Sequence, residues 1–144
     1  MPGWVRAGVE EYLKRFGSAL RVSLVEIDPG TRTGGAARRA IEVEGQRLLA
    51  ALRKDEYVVA LDEHGTEMTT AELASWLGAR MRDGRDLALL IGGPDGLAPE
   101  VLARSHFRWA LSKLTFPHAL VRVVLAEQLY RAHSMLSNHP YHRE

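Results

Sequence analysis

Apolar side chains recur at helical spacing in five stretches of the chain. The first predicted helix covers residues 4–16 and ends at Gly17. Further helices are predicted over residues 37–54, 70–82, 99–105 and 117–135. Pro117 is expected at the first helical position of the last one, where its missing N–H costs nothing.

Between these helices lie short apolar runs that predict strands. Residues 21–27 (RVSLVEI) alternate, whereas residues 57–61 (YVVAL) and 87–91 (LALLI) are continuously apolar. Continuous runs are typical of strands covered on both faces, and their alternation with helices predicts an α/β fold with a mostly parallel sheet. Residues 31–35 are expected to form a flexible loop, and the polar tail, residues 137–144, is expected to fray.

Length and composition set bounds on the class of protein. A chain of 144 residues that is 46% hydrophobic is expected to form one domain over residues 1–144. Its formal net charge of +1 argues neither for nor against a nucleic-acid partner. The absence of cysteine excludes disulfides and thiolate metal sites, and we expect no metal. No run approaches the roughly 20 apolar residues of a membrane span, so a cytoplasmic protein is expected.

The first candidate site is the glycine-rich loop Gly92-Gly93-Pro94-Asp95-Gly96, which directly follows the predicted strand 87–91. Ligands of open α/β sheets bind at such carboxyl ends, and adjacent glycines let a planar group such as adenine reach the main chain. The alternative is a plain turn centred on Pro94 and Asp95. The glycines lack dinucleotide spacing, and the chain has no phosphate loop.

The second candidate site is the segment before the last predicted helix. Its hydroxyls, Ser112 and Thr115, and the free amides of the helix could receive a carboxylate. The alternative is that one of these hydroxyls simply caps the helix.

The third candidate site is the tail, where His139, Tyr141, His142 and Arg143 suit base stacking and phosphate contacts better than zinc.

Basic side chains also outnumber acids in the last third of the chain. They are Arg104, Arg108, Lys113, Arg122, Arg131 and Arg143. This bias is compatible with an RNA-facing edge and equally with an ordinary solvated surface.

Three strings occur together and in order: LLIGGPDGL (89–97), LSKLTFPHALVRVVLAEQLYRA (111–132) and NHPYHRE (138–144). With these strings the chain resembles the ribosomal RNA large subunit methyltransferase H family of the SPOUT class, and a weaker likeness covers the rest from Trp4 onward. The resemblance implies a parallel sheet flanked by helices with a carboxy-terminal trefoil knot (the α/β knot) and a homodimer. Family members begin with a short strand before the MPGW-like segment, so this chain is expected to lack the family's first strand, and a wrongly chosen start codon is the favoured explanation.

The resemblance also implies an enzyme that uses S-adenosylmethionine to methylate N3 of a pseudouridine in 23S ribosomal RNA on the assembled ribosome. The cofactor pocket that it implies consists of Leu61, Gly93, Ser112, Lys113, Leu114, Thr115, Phe116 and Pro117.

The N3 proton must leave, and the tail offers groups for this. His142 is the candidate base, Arg143 a candidate for holding phosphate or developing charge, and Tyr141 a candidate for stacking on a base. Two alternatives stay open: a non-catalytic ribosome-binding factor of the same fold, and an α/β nucleotide-binding hydrolase or oxidoreductase.

Overall fold

A computed structural model describes residues 1–31 and 37–143. The helices in this part of the chain are α1 (Gly3–Leu13), α2 (Ala37–Ala51), α3 (Thr70–Asp83), α4 (Pro99–Arg104) and α5 (His118–Leu136). The strands are β1 (Tyr57–Glu67), β2 (Leu87–Leu90) and β3 (Phe107–Ala110), and a 3-10 helix spans Pro140–Arg143. The five predicted helices are thus confirmed to within a few residues at their ends. The loop predicted over residues 31–35 lies, after Thr31, outside the described residues.

The chain divides into two compact units built from interleaved segments. One unit, the helical unit, comprises Met1–Leu24, Met68–Gly84 and Phe116–Glu144. The other, the sheet unit, comprises Val25–Glu67 and Arg85–Thr115.

The sheet unit contains a three-stranded parallel sheet in the order β2-β1-β3. Ala60 of the central strand pairs with Leu90 of β2, and Leu61 pairs with Trp109 of β3. The parallel sheet predicted from the apolar runs is therefore confirmed. Its third strand, β3, was not among the predicted strands.

Helices α2 and α4 cover one face of this sheet. Val58 and Leu90 are buried there with Ala98 and Val101, and the leucines of α2 pack against them. Gly45 of α2 allows the close approach, because a Cβ at this position would lie 2.8 Å from the Cβ of Ala98.

Strand β1 makes an excursion after Leu61. Pairing with β3 is interrupted over residues 62–65 and resumes when Thr66 pairs with Trp109. At the base of this excursion Gly65 lies so close to β3 that a Cβ would be 2.6 Å from the carbonyl carbon and oxygen of Arg108. Only glycine fits such a contact with main-chain atoms.

The prediction of a strand over residues 21–27 is wrong. This stretch has no regular secondary structure, and the side chains of Leu24 and Val25 are 40% and 70% exposed. Alternation makes a segment compatible with a strand, but the strand forms only by hydrogen bonding to a neighbour. The three described strands pair with one another and not with this segment.

In the helical unit, α1 and α3 both pack on α5. Val5 and Val9 of α1 are buried against Ala126 of α5. Helix α3 begins with a capping box, in which Glu72 N–H donates to Thr69 Oγ1 at 3.1 Å and Thr69 N–H donates to Glu72 Oε1 at 2.9 Å. These reciprocal bonds satisfy two amides that the helix itself leaves free.

The tail was expected to fray, but it is folded as far as residue 143. Helix α5 ends in a Schellman motif: Asn138 adopts a left-handed φ of 57°, and His139 N–H donates to the carbonyl of Ser134 at 2.8 Å. The 3-10 helix Pro140–Arg143 follows, and Tyr141 within it is 9% exposed. Burial of an aromatic ring supplies the packing energy that a purely polar tail would lack.

We predict that Gly65→Ala destabilises the protein by about 1–3 kcal/mol, because the methyl group would overlap main-chain atoms of β3 that cannot rotate away. Urea denaturation measures the free energy of unfolding. The matched control is Gly17→Ala, since Gly17 has open space around its Cα. Equal stability of the two variants would contradict the close contact between Gly65 and the main chain of Arg108.

We predict that stability falls as the pH drops below about 6.5, the ordinary value for histidine. Burial, followed by Arg85 and Arg104, lowers the pKa of His106. His106 Nδ1 accepts a hydrogen bond from Val58 N–H at 2.9 Å, which only a neutral imidazole can do. Because the folded state disfavours the proton, this stability is present above the unfolded pKa and is lost as the pH falls toward the folded one.

His106→Asn keeps an acceptor and removes the titration, so its stability should depend less on pH between 5 and 7 in thermal melts. Some dependence should remain, because burial also lowers the pKa of His133. An unchanged slope in the Asn variant would show that His106 does not contribute.

Candidate functional site

The carboxyl ends of the three strands lie along one edge of the sheet unit, because all three strands are parallel. Leu61 lies in the central strand, with the segment leading to Gly93 on one side of it and the segment leading to Ser112 on the other. Neighbouring strands are roughly 4.8 Å apart, so each of these segments leaves the sheet next to the central strand. This edge is where open α/β sheets bind ligands.

The glycine loop is a tight hydrogen-bonded turn. Gly96 N–H donates to the carbonyl of Gly93 at 3.1 Å, and Gly96 has a left-handed φ of 84°. Pro94 and Asp95 therefore occupy the central positions of the turn, a geometry that the ligand site and the plain turn share. A Cβ atom on Gly92 would lie 2.7 Å from the carbonyl carbon of Gly96. The main chain at Gly92 and the main chain at Gly96 therefore approach each other closely.

The segment after β3 is a second turn at the same edge. Leu114 N–H donates to Ser112 Oγ at 3.0 Å, and Lys113, Leu114 and Thr115 are exposed. At 71% exposure, Leu114 presents an apolar side chain to solvent.

The alternative for this segment, a helix start capped by Ser112 or Thr115, is wrong. The N-cap of α5 is Pro117, which makes no side-chain cap hydrogen bond, and the helix begins one residue later than predicted. Ser112 instead uses its oxygen within its own turn. Phe116 and Pro117 belong to the helical unit.

A depression of about 370 Å³ lies between the excursion of β1 and the turn at Ser112. This volume falls in the range of small-molecule sites. Its lining consists of Glu63, His64, Glu67, Ser112, Lys113, Leu114 and Thr115.

Acidic groups dominate the excursion side of this depression. Asp62 accepts a hydrogen bond from the main-chain N–H of His64 at 3.2 Å, and the His64 ring lies near both Asp62 and Glu63. Lys113 provides a cation on the other side. Sequence reasoning missed the excursion, although the run Asp62-Glu63-His64-Gly65 directly after a buried strand was a readable signal.

The candidate residues of the tail lie in the helical unit. His142 Nδ1 is 2.6 Å from the carbonyl oxygen of His139. A carbonyl oxygen can only accept, so Nδ1 carries a proton and donates, and Nε2 is the ring nitrogen left for other partners. Arg143 ends the same 3-10 helix, and its side chain lies outside the described part of the structure.

Tyr141 is packed inside this unit. Its hydroxyl donates to Glu127 Oε2 at 3.1 Å, and its ring meets Tyr130 edge-on at 4.7 Å. Burial first, then hydrogen bonds with Tyr12 and Glu127, raise the pKa of Tyr141. In this position the ring has little surface to offer an RNA base.

The basic side chains of the last third are used in different ways. Arg131 pairs with Glu127 at 3.1 Å, and Arg104 donates to main-chain carbonyls of residues 53 and 54. Arg108 and Lys113 are exposed. The structure thus assigns at least two of these cations to internal contacts.

Across residues 1–31 and 37–143, no group of three histidine or acidic side chains is placed to hold a metal ion. Over the same residues, no helix combines the length and apolarity that crossing a bilayer requires.

Comparison with known proteins gives a consistent result. A family described as "Predicted SPOUT methyltransferase" matches residues 1–142. The ribosomal RNA large subunit methyltransferase H of Alkalilimnicola ehrlichii is 58% identical, covering 99% of this chain and 92% of that protein. The proteins of the same name from Stenotrophomonas maltophilia and Chromohalobacter salexigens are each 54% identical, covering 99% of this chain and 92% and 93% of their own lengths. The chain therefore belongs to the ribosomal RNA large subunit methyltransferase H family of SPOUT methyltransferases.

Proposed function

We propose that this chain transfers a methyl group from S-adenosylmethionine to N3 of a pseudouridine in 23S ribosomal RNA, on the assembled ribosome in the cytoplasm. The observation that carries the proposal is the position of Leu61 in the central strand, between the segments that lead from the carboxyl ends of β2 and β3 to Gly93 and Ser112. The names of the relatives, methyltransferases of large-subunit ribosomal RNA, support both the reaction and the substrate class.

The residues at this edge fit the chemistry of the methyl donor. Its adenine would approach the main chain of the glycine loop at Gly93, which has no side chain. Its sulfonium and ammonium cations suit the acids Glu63 and Glu67, and its carboxylate suits Lys113 and nearby hydroxyls.

The donor pocket that we propose contains Leu61, Gly93, Ser112, Lys113, Leu114, Thr115, Phe116 and Pro117. Phe116 and Pro117 rest on the family resemblance alone. When bound, S-adenosylmethionine supplies a methyl group already activated for direct displacement.

The acceptor nitrogen carries a proton that a base must remove, and His142 suits this role. Its Nδ1–H is committed to the carbonyl of His139, so its Nε2 is the basic atom. The hydrogen bond also fixes the ring plane, as the orienting partner of a catalytic histidine does. Arg143, the next residue, would hold a phosphate or the negative charge that develops on the imide.

We also propose the trefoil knot and the homodimer that the family resemblance implies. Exposed apolar side chains of the helical unit, Trp4 at 60% and Leu136 at 42%, are compatible with a partner surface. Sedimentation equilibrium distinguishes a dimer from a monomer.

The function predicts that the purified protein transfers labelled methyl from S-adenosylmethionine to ribosomes that lack the modification. Digestion and mass spectrometry should place the label on a single pseudouridine of 23S ribosomal RNA. Label on another nucleotide would refute the stated target, and donor binding in calorimetry without any transfer would favour a non-catalytic ribosome-binding factor.

We predict that His142→Ala lowers kcat by about 10²–10⁴-fold, because proton removal from the imide would lack its base. The affinity for S-adenosylmethionine should stay unchanged. Full turnover of the variant at every pH would eliminate the imidazole as base.

A further inference from the structure

Glu127 of α5 collects hydrogen bonds from three side chains. Its Oε1 accepts from Gln128 Nε2 at 2.7 Å, and its Oε2 accepts from Arg131 Nε at 3.1 Å and from the Tyr141 hydroxyl at 3.1 Å. The Glu127 side chain is only 18% exposed. A carboxylate in such surroundings is held in one orientation, because each oxygen has a committed donor.

This group connects the tail to two helices of the helical unit. Gln128 accepts a hydrogen bond at its Oε1 from Thr70 Oγ1 of α3 at 2.8 Å, so the chain of bonds runs from the start of α3 through α5 to the tail. The Arg131 guanidinium, paired with Glu127, also lies 4.8 Å from the centre of the Tyr141 ring. Helix α5 therefore contacts both the hydroxyl group and the ring of Tyr141.

The position of Tyr141 determines where the following residue projects. Tyr141 and His142 are consecutive in the 3-10 helix, and Tyr141 N–H donates to His139 Nδ1 at 3.2 Å. The Tyr141 hydroxyl joins the tail to other side chains of the helical unit, namely Glu127 of α5 and Tyr12 of α1. A shift of the Tyr141 backbone would shift the His142 imidazole with it.

We propose that Glu127, through the hydroxyl of Tyr141, is a positioning residue that holds the His142 imidazole in its catalytic orientation. This inference rests on the proposed function of His142. It assigns Tyr141 to anchoring the tail instead of stacking on RNA.

The test uses two conservative variants, Tyr141→Phe and Glu127→Gln, in the full chain. The first removes only the hydroxyl, and the second removes the charge that strengthens the bonds from Tyr141 and Arg131. We expect faster amide hydrogen exchange in residues 139–143 and a kcat about tenfold lower, the usual effect of losing one such bond. The KM for ribosomes and the affinity for S-adenosylmethionine should stay close to wild type.

Matched controls are Tyr130→Phe and Glu10→Gln. Tyr130 packs against Tyr141 through its ring, and its hydroxyl makes none of the hydrogen bonds described for this unit. Glu10 is an exposed carboxylate on α1. Both controls should keep the wild-type kcat and tail exchange, so a change in the test variants would not reflect a general loss of packing.

A double-mutant cycle separates positioning from a purely structural role. If Glu127 acts through His142, Glu127→Gln should lower kcat in the wild-type background and have no further effect in the His142→Ala background. Equal losses in both backgrounds would overturn the inference, as would full activity of both conservative variants while His142→Ala is impaired. Full activity of His142→Ala would instead refute the proposed base itself.

Discussion

The side-by-side pairing of three short parallel strands fixes the arrangement of the candidate donor site. Because backbone hydrogen bonds set the register of Leu61 against Trp109 and of Ala60 against Leu90, the segments that follow β2 and β3 must leave the sheet on either side of the central strand. Helices α2 and α4 hold this pairing by burying one face of the sheet. The excursion of β1 then adds an acidic wall next to the turn at Ser112.

Features that depend on neighbours in the sequence could be predicted, and features that depend on distant partners could not. The apolar runs around Val58 and Ala88 indicated strands, and the helices followed from their periodicity. Residues 21–27 have the alternation of a strand but no described strand pairs with them, and alternation alone does not reveal whether a partner exists. In the same way, Gly65 is needed because of Arg108, which lies far along the chain.

The candidate site shows the same division. The glycine turn and the segment at Ser112 were found because each directly follows an apolar run, which is a local signal. The tail was expected to fray because it is polar, although Asn138 and Pro140 form a recognisable helix stop. Tyr141 of the tail is bonded to Glu127, a residue on the preceding helix that the tail sequence does not disclose. The orientation of the His142 ring is likewise a property of the folded turn.

The interleaving of the two units has a consequence for how the chain acquires its structure during synthesis. Val5 and Val9 are synthesised long before Ala126, the residue of α5 that buries them. Until α5 leaves the ribosomal tunnel, α1 has an apolar stripe without its native cover, and closing so long a loop is slow. Folding of the helical unit therefore awaits the synthesis of α5, so nascent chains expose the apolar side chains of α1, to which chaperones can bind.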